Sequence, residues 1–406
     1  MNQKKICVIG LGYIGLPTAA ILANSGYYVH GVDIDKSVID KLNTGEIHII
    51  EPDLDVLVKK VVDDGNFKAH LEPCHADIFI ICVPTPFKKN KNNNYPAPDI
   101  TFVLEAAKSI SPFLKEANLV ILESTSPVGT TQEVEKVFKY NGVDTNSIFI
   151  SYCPERVLPG NILKELIMND RIVGGLSNKS TIATSSFYRT FVKGGVVETD
   201  ANTAEMCKLT ENSFRDLNIA FANELSIICD KENLDVWELI KLANLHPRVD
   251  ILQPGAGVGG HCIAVDPWFI VDRNPEEARL IRLAREVNLD KTEWVIKMIK
   301  EKARELNNEL KKEVKIACLG LSFKPNIDDL RESPAIEVAH KLQKDGLNIF
   351  VVEPNILNHD DLKLIELEEA ITACDIFVFL VKHDQFINFY NDDRFKNLHV
   401  LNFCGL

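Results

Sequence analysis

Apolar runs of four to six residues recur along the first half of the chain, at 5–9, 28–32, 78–83, 119–123 and 148–152. Between them lie stretches of helical pattern, to about residue 24, at about 99–116 and at 130–139. Buried strands alternating with helices predict a parallel, doubly wound sheet. From about 201 to 307 the strand pattern stops, and 204–231 and 276–306 each read as one long helix. A helix of about 30 residues spans roughly 45 Å, enough to join two domains or to pack against a second subunit. At 313 the alternation restarts, with strands at 314–319, 348–352 and 376–381 and a helix at 334–345. The expected architecture is α/β. Two Rossmann-like doubly wound domains, 1–200 and 308–406, are joined by a central all-helical domain, 201–307, that carries a long connecting helix.

Length and composition fit this picture. A chain of 406 residues exceeds one ordinary core, and 46% hydrophobic with 25% charged residues is the composition of a soluble globular protein. The net charge of −13 argues against nucleic acid as a partner, since phosphate backbones need a basic surface, yet leaves room for one local basic pocket. No run approaches the ~20 apolar residues of a membrane span. The opening Met1–Lys5 runs into a strand without a signal-peptide pattern, so a cytoplasmic, reducing location is expected. Ten cysteines without a CxxC pair speak against structural zinc and against a disulfide framework.

Gly10-Leu11-Gly12-Tyr13-Ile14-Gly15 follows a strand and opens a helix, and Asp33 ends the next strand. In that context the spacing reads as a dinucleotide site. Gly10 makes the turn, Gly12 admits the pyrophosphate, Gly15 lets helix and strand approach, and Asp33 takes the ribose hydroxyls and disfavours a 2′-phosphate. NAD is therefore the expected cofactor. The first turn of the third region, Gly320-Leu321-Ser322-Phe323-Lys324, lacks the full fingerprint and should hold something else.

Cys262 stands apart from the other cysteines, many of which sit in apolar runs, because it follows Pro254-Gly255-Ala256-Gly257-Val258-Gly259-Gly260-His261. Such a loop lets a ligand lie against the backbone. Asp266 is four residues on, so a helical turn starting at Cys262 would bring thiol and carboxylate together. The dipole there favours thiolate and the carboxylate opposes it. His261 points away from its neighbour and reads as a binding or structural residue. Lys208 and Asn212 share a helix face that Arg215 continues. They form either an oxyanion-stabilising pair or a solvated polar stripe. Glu155, in Cys153-Pro154-Glu155-Arg156-Val157 at the close of what reads as the last strand of the first domain, is either a general base or a loop ion-pair partner. Cys153 reads as core.

Taken with Val83-Pro84-Thr85-Pro86, Glu123-Ser124-Thr125, Phe323-Lys324-Pro325 and Leu330-Arg331-Glu332-Ser333-Pro334, these motifs make the whole chain resemble the UDP-glucose/GDP-mannose dehydrogenase family. The resemblance implies four-electron, NAD-dependent oxidation of the C6 alcohol of a UDP-sugar to a carboxylate, without a metal. It implies a homodimer or higher homo-oligomer built by the central domain, a UDP-sugar-binding third domain, and a place in polysaccharide synthesis. Cys262 would be the nucleophile. Lys208 and Asn212 would hold the reacting oxygen, Glu155 and Thr125 would flank the resolving water, and Asp266 would support the site. Thr85, Thr125 and Arg331 would join the Gly10–Gly15 turn, with Tyr13 and Ile14, around NAD. Arg156, Val157, Arg215, His246, Arg248, Gly259, Phe323 and Lys324 would contact the substrate beside Glu155, Lys208 and Asn212, with Arg248 reaching across a subunit interface. The family's Pro-Glu-Phe is Pro-Glu-Arg here, which suits Arg156 to an N-acetyl sugar.

Segments 45–54, 152–160 and 245–249 resemble the branch of the family that acts on UDP-N-acetyl-D-mannosamine. Branches acting on UDP-N-acetylglucosamine or UDP-glucose are the alternatives. Two rivals lie outside this chemistry. A two-electron hydroxyacid dehydrogenase would need neither the thiol nor the third domain, and a non-catalytic nucleotide-sugar-binding protein would have no use for Cys262.

Overall fold

The computed structural model describes residues 4–89, 95–260, 262–390, 394 and 398–406. The chain divides into two compact units, 1–210 and 211–406, and the division falls inside the helix Ala201–Glu232.

The first unit is built on an eight-stranded sheet. Its strands are β1 (Lys5–Ile9), β2 (Tyr28–Val32), β3 (Phe67–His70), β4 (Ile78–Ile81), β7 (Leu119–Leu122), β8 (Phe149–Tyr152), β9 (Arg171–Gly175) and β10 (Val196–Asp200). A separate ribbon pairs β5 (Phe87–Lys89) with β6 (Pro96–Pro98). The sheet order is β10-β9-β8-β7-β4-β1-β2-β3. Successive residues of the central strands feed opposite cores. Ile6, Val8, Ile80 and Ile121 pack on one face with Leu16 and Val58, while Cys7, Ile9, Phe79 and Val120 pack on the other with Val103 and Phe138. Both faces are covered, which is why these strands read as unbroken apolar runs.

Two expectations are corrected here. The sheet is not wholly parallel, because β8 pairs antiparallel with β9. Nor is β8 the last strand, since β9 and β10 extend the sheet beyond it. The connection from β8 to β9 holds only the seven-residue helix Ile162–Met168, and the chain doubles back instead of making a full crossover. An arginine, two glycines and the part-exposed β10 hid these strands from an apolar-run reading.

In the second unit the helices Val236–Ala243, Asp266–Arg273 and Arg279–Leu310 precede a four-stranded sheet. Between 201 and 314 the described residues form no strand. The sheet comprises β11 (Lys315–Leu319), β12 (Asn348–Val352), β13 (Ile376–Phe379) and β14 (His399–Asn402), all parallel, in the order β12-β11-β13-β14. Val295, Ile296, Ile299 and Ala303 of the long helix share a core with Val338, Ala339 and Leu342 of helix Pro334–Lys344 and with Ile316 and Cys318 of β11. The helical segment and the sheet of this unit are thus one packed body. Among the described residues no helix is long and apolar enough to cross a membrane.

Candidate active site

The predicted site residues fall into one group on each unit. In the first unit, Gly10 turns the chain with φ +89°, and a Cβ there would meet the Cys82 carbonyl oxygen at 2.7 Å. A Cβ on Gly15 would lie within bonding distance of the Gly10 carbonyl oxygen, so only glycine permits this helix to start here. Gly12 differs: nothing lies within 4 Å of its missing Cβ. The protein itself has no packing use for that glycine, whereas a pyrophosphate against the backbone does. The helix Gly15–Asn24 that follows has no side-chain cap and no acidic residue in its first turn, so no side chain of its own neutralises the positive end of its dipole. By contrast, helix Thr130–Tyr140 has its N-terminus filled by buried Glu205, which accepts from the Gly129 and Thr131 amides at 2.6 and 2.8 Å. Asp33 is half-buried and accepts the Leu11 amide on Oδ2 at 3.0 Å and the Asp35 amide on Oδ1 at 3.0 Å. Each oxygen keeps a lone pair for a ribose hydroxyl. These residues fit a dinucleotide. His48, absent from the sequence reading, stands in the field of Asp33, where burial pushes its imidazole down and Asp33 pulls it back.

Thr85 and Thr125 are brought together, the Thr85 hydroxyl donating to the Thr125 carbonyl at 2.5 Å. Glu155 is buried just beyond β8 and forms an ion pair, Arg171 Nη1 donating to Oε2 at 2.5 Å. The Arg156 amide donates to Oε1 at 2.7 Å, and the Arg156 guanidinium donates to the Asp170 carbonyl at 3.1 Å. Val157 is half-buried. Glu123, at the end of β7, accepts from Tyr188 Oη at 2.5 Å and from Cys82 Sγ at 3.2 Å, and burial pushes its carboxyl up. Cys153 is core, its thiol pushed up to about 12 by burial. Sequence reasoning missed Arg171, Glu123 and Tyr188 as a group. The available signal was a charged residue opening the apolar strand Arg171-Ile172-Val173, because a buried charge needs a partner. It also missed buried Glu51, which accepts from the Gly160 and Ile162 amides at 2.9 and 2.7 Å and so ties segment 45–54 to segment 152–160.

Lys208 lies on the first-unit part of helix Ala201–Glu232 with its stem buried, and Asn212 follows one turn later. In the second unit, Asn212 Nδ2 donates to Asp266 Oδ2 at 2.5 Å, and both are buried. Of the ten cysteines, all among the described residues, Cys262 is the exposed one. A helical turn does begin at it: its carbonyl accepts from Val265 and Asp266 at 3.1 and 2.8 Å, leading into helix Asp266–Arg273. The preceding glycines are packed against the segment that follows β11. A Cβ on Gly259 would meet the Glu332 carbonyl oxygen at 2.5 Å, and one on Gly260 would meet the Phe323 ring at 2.8 Å. The loop is also hung from the long helices, the Gly255 amide donating to Asn223 Oδ1 at 2.9 Å and Thr292 Oγ1 to the Ala256 carbonyl at 2.9 Å. Phe323 and Lys324 sit on a turn held by Ser322 Oγ, which donates to the Lys324 carbonyl, and by the Asn326 amide, which donates to His383 Nδ1. Arg331 is exposed and donates twice to Asp329. Arg215, His246 and Arg248 are exposed, the last two beyond helix Val236–Ala243. His261 lies outside the described residues.

Three family models match most of the chain. They are the NAD binding domain of the UDP-glucose/GDP-mannose dehydrogenase family over 4–192, its central domain over 202–290 and its UDP binding domain over 317–401. A UDP-N-acetyl-D-mannosamine dehydrogenase of Campylobacter jejuni is 52% identical over the full length of both chains. An NDP-N-acetyl-D-galactosaminuronic acid dehydrogenase of Ralstonia nicotianae is 51% identical, covering all of this chain and 97% of its own. The solved UDP-D-ManNAc dehydrogenase of Pyrococcus horikoshii superposes with a TM-score of 0.89 at 37% identity, covering 98% of this chain and 95% of that one. The turn, the thiol loop and these matches together place the chain in the UDP-glucose/GDP-mannose dehydrogenase family, as an NAD-dependent nucleotide-sugar dehydrogenase.

Proposed function

We propose that this chain oxidises the C6 alcohol of UDP-N-acetyl-D-mannosamine to the carboxylate, in two successive two-electron steps with Cys262 as the covalent carrier. The observation that carries this reading is the exposed Cys262 at the start of a helical turn, on a glycine loop packed against the Phe323 turn. NAD, which the Gly10–Gly15 turn, Asp33, Thr85 and Thr125 would hold, would supply the hydride acceptor for both oxidations.

Loss of a hydride from C6 and a proton from its hydroxyl gives the aldehyde. The Cys262 thiolate adds to that carbon and the oxygen takes up a proton, giving a thiohemiacetal that still carries one C6 hydrogen. Loss of that hydride with the hydroxyl proton gives a thioester. Water then adds, the C–S bond breaks, and carboxylate and thiol are released. From one alcohol and one water, two hydrides and three protons leave. Lys208 and Asn212 stabilise the oxygen as it gains charge, and Asp266 fixes the Asn212 amide through its 2.5 Å hydrogen bond. Glu155 takes the proton of the resolving water. Thiolate suits the covalent step because it is a strong nucleophile near neutral pH.

The sugar assignment is supported by segments 45–54 and 152–160, two signature stretches joined by Glu51, and by the 52% identity to the Campylobacter jejuni enzyme. The Ralstonia nicotianae relative favours a galactosamine-type substrate as the second reading. We assign 1–200 to NAD, 201–307 to dimerisation and 308–406 to the UDP-sugar. Exposed Phe214, Phe221 and Ile228, seven residues apart on helix Ala201–Glu232, support self-association, with Arg248 reaching the partner's substrate.

The test is kcat/KM for the UDP-activated N-acetylmannosamine, N-acetylglucosamine and N-acetylgalactosamine and for UDP-glucose. The mannosamine substrate should lead by at least about tenfold, since one misplaced sugar hydroxyl or acetamido group leaves buried polar groups unpaired. A lead by another sugar overturns the substrate assignment.

A further inference from the structure

We propose that Arg171 is a positioning residue for Glu155, holding it as the correctly aimed carboxylate that the hydrolytic step requires. The proposal rests on the reading of Glu155 as the group that activates water.

Arg171 opens β9 and is 2% exposed, in a place where a lone guanidinium would be costly. Its Nη1 donates to Glu155 Oε2 at 2.5 Å and its Nη2 to the Leu166 carbonyl at 3.0 Å. The guanidinium carbon lies 5.3 Å from the centre of the Tyr188 ring, which fixes the plane of the fork. Glu155 is pinned from its other side by the Arg156 amide on Oε1. With both oxygens engaged, the carboxylate cannot swing, and its remaining lone pairs keep one direction. A base that must meet a water at one angle gains from such fixation.

Charge supports the same division of labour. Two buried carboxyls, Glu123 and Glu155, share this one cation. Glu123 has no direct bond to Arg171. It receives Tyr188 Oη and Cys82 Sγ instead, and burial pushes its carboxyl up. Glu123 is thus engaged by Tyr188 and Cys82, and the direct ion pair belongs to Arg171 and Glu155. Lysine at 171 would retain the charge but lose the two-pronged hold on Glu155 and Leu166.

The experiment compares full-length Arg171→Lys, Glu155→Gln and the charge-neutral double variant Arg171→Met/Glu155→Gln during turnover of UDP-N-acetylmannosamine with NAD. Rapid-quench intact mass reads the acyl adduct on Cys262, stopped flow reads the NADH burst, and thermal melting reports folding. Arg171→Lys should keep a burst, accumulate the adduct and lose roughly ten- to a hundredfold in steady-state rate, as a displaced catalytic group does. The double variant should fold and match Glu155→Gln, because Arg171 has nothing left to position. If Glu155→Gln accumulates adduct while Arg171→Lys turns over like wild type, Arg171 has no such role. If Arg171→Lys lowers burst and steady state together, without adduct, its role is structural and the proposal falls. If Glu155→Gln itself accumulates no adduct, the reading of Glu155 fails first, and the Arg171 proposal with it.

Discussion

At the end of β1 and again at the end of β11 the chain makes the same turn. Gly10 and Gly320 have φ +89° and +94°, and their amides donate to Val32 and Val352 at the ends of the neighbouring strands. The next residue is leucine in both. Leu11 donates its amide to Asp33 and Leu321 to Glu353, each acid standing just after the neighbouring strand. From there the two regions part. Asp33 is half-exposed with acceptor capacity to spare. Glu353 is buried and takes Leu321, Ser322 and His383 on one oxygen and the Asn355 amide and side chain on the other. The first turn continues into Gly12 and Gly15 and an uncapped helix. The second continues into Ser322, Phe323 and Lys324, with its polar groups satisfied internally. One backbone device thus serves two ends: one acid is left with acceptor capacity to spare, and the other, closed by its own neighbours, fixes a turn that presents a ring and an ammonium. That accounts for a single NAD-binding domain in a chain with two such sheets.

Several substitutions can break this contrast. The largest effect is expected from Gly15→Val, which forces a side chain into the Gly10 carbonyl. NAD affinity by calorimetry should fall by more than about a hundredfold, while UDP affinity stays within about twofold. Asp33→Asn should raise KM for NAD by roughly ten- to a hundredfold through lost charge-assisted hydrogen bonds, again sparing the UDP-sugar. An equal loss for both ligands would show that the two turns are not independent.

Glu353→Gln should do the reverse, lowering stability by about 2 kcal/mol and raising KM for the UDP-sugar with KM for NAD unmoved. Its pH dependence is specific. Burial works against the Glu353 charge, but hydrogen bonds from His383 and Leu321 hold its carboxyl down at about 2. An acid depressed below its ordinary ~4.3 stabilises the fold above that value and loses the contribution as pH falls towards 2. The difference in Tm between wild type and Glu353→Gln should therefore be full at pH 6 and shrink below about pH 4.3. A constant difference would mean that Glu353 acts by shape alone. The smallest effect on substrate affinity belongs to His383→Asn, which removes the Asn326 anchor along with the His383 contacts to Glu353 and Asn355 and should raise KM for the UDP-sugar by about three- to tenfold.

Much of this was legible in the sequence. Fully buried strands such as β4 and β7 announced themselves as apolar runs, and Gly10, Gly12, Gly15 and Asp33 carried the dinucleotide turn. β9, with an arginine and two glycines, did not, because its burial comes from tertiary pairing rather than from apolar side chains; nor did β10, whose residues are all part-buried or exposed. The same reason hid Arg171: a charge in a strand is readable only once its partner, sixteen residues earlier, is brought beside it. Asn212 and Asp266 were each visible as candidates. Their hydrogen bond across fifty-four residues was not, because no periodicity links a helix to a distant turn.

The most direct test of the account is the NADH formed per UDP-N-acetylmannosamine consumed, by wild type and by Cys262→Ala. Covalent double oxidation predicts two NADH per sugar for wild type, and for the variant at most one, with aldehyde trapped by hydroxylamine. Two NADH per sugar from Cys262→Ala, or one from wild type, would contradict it.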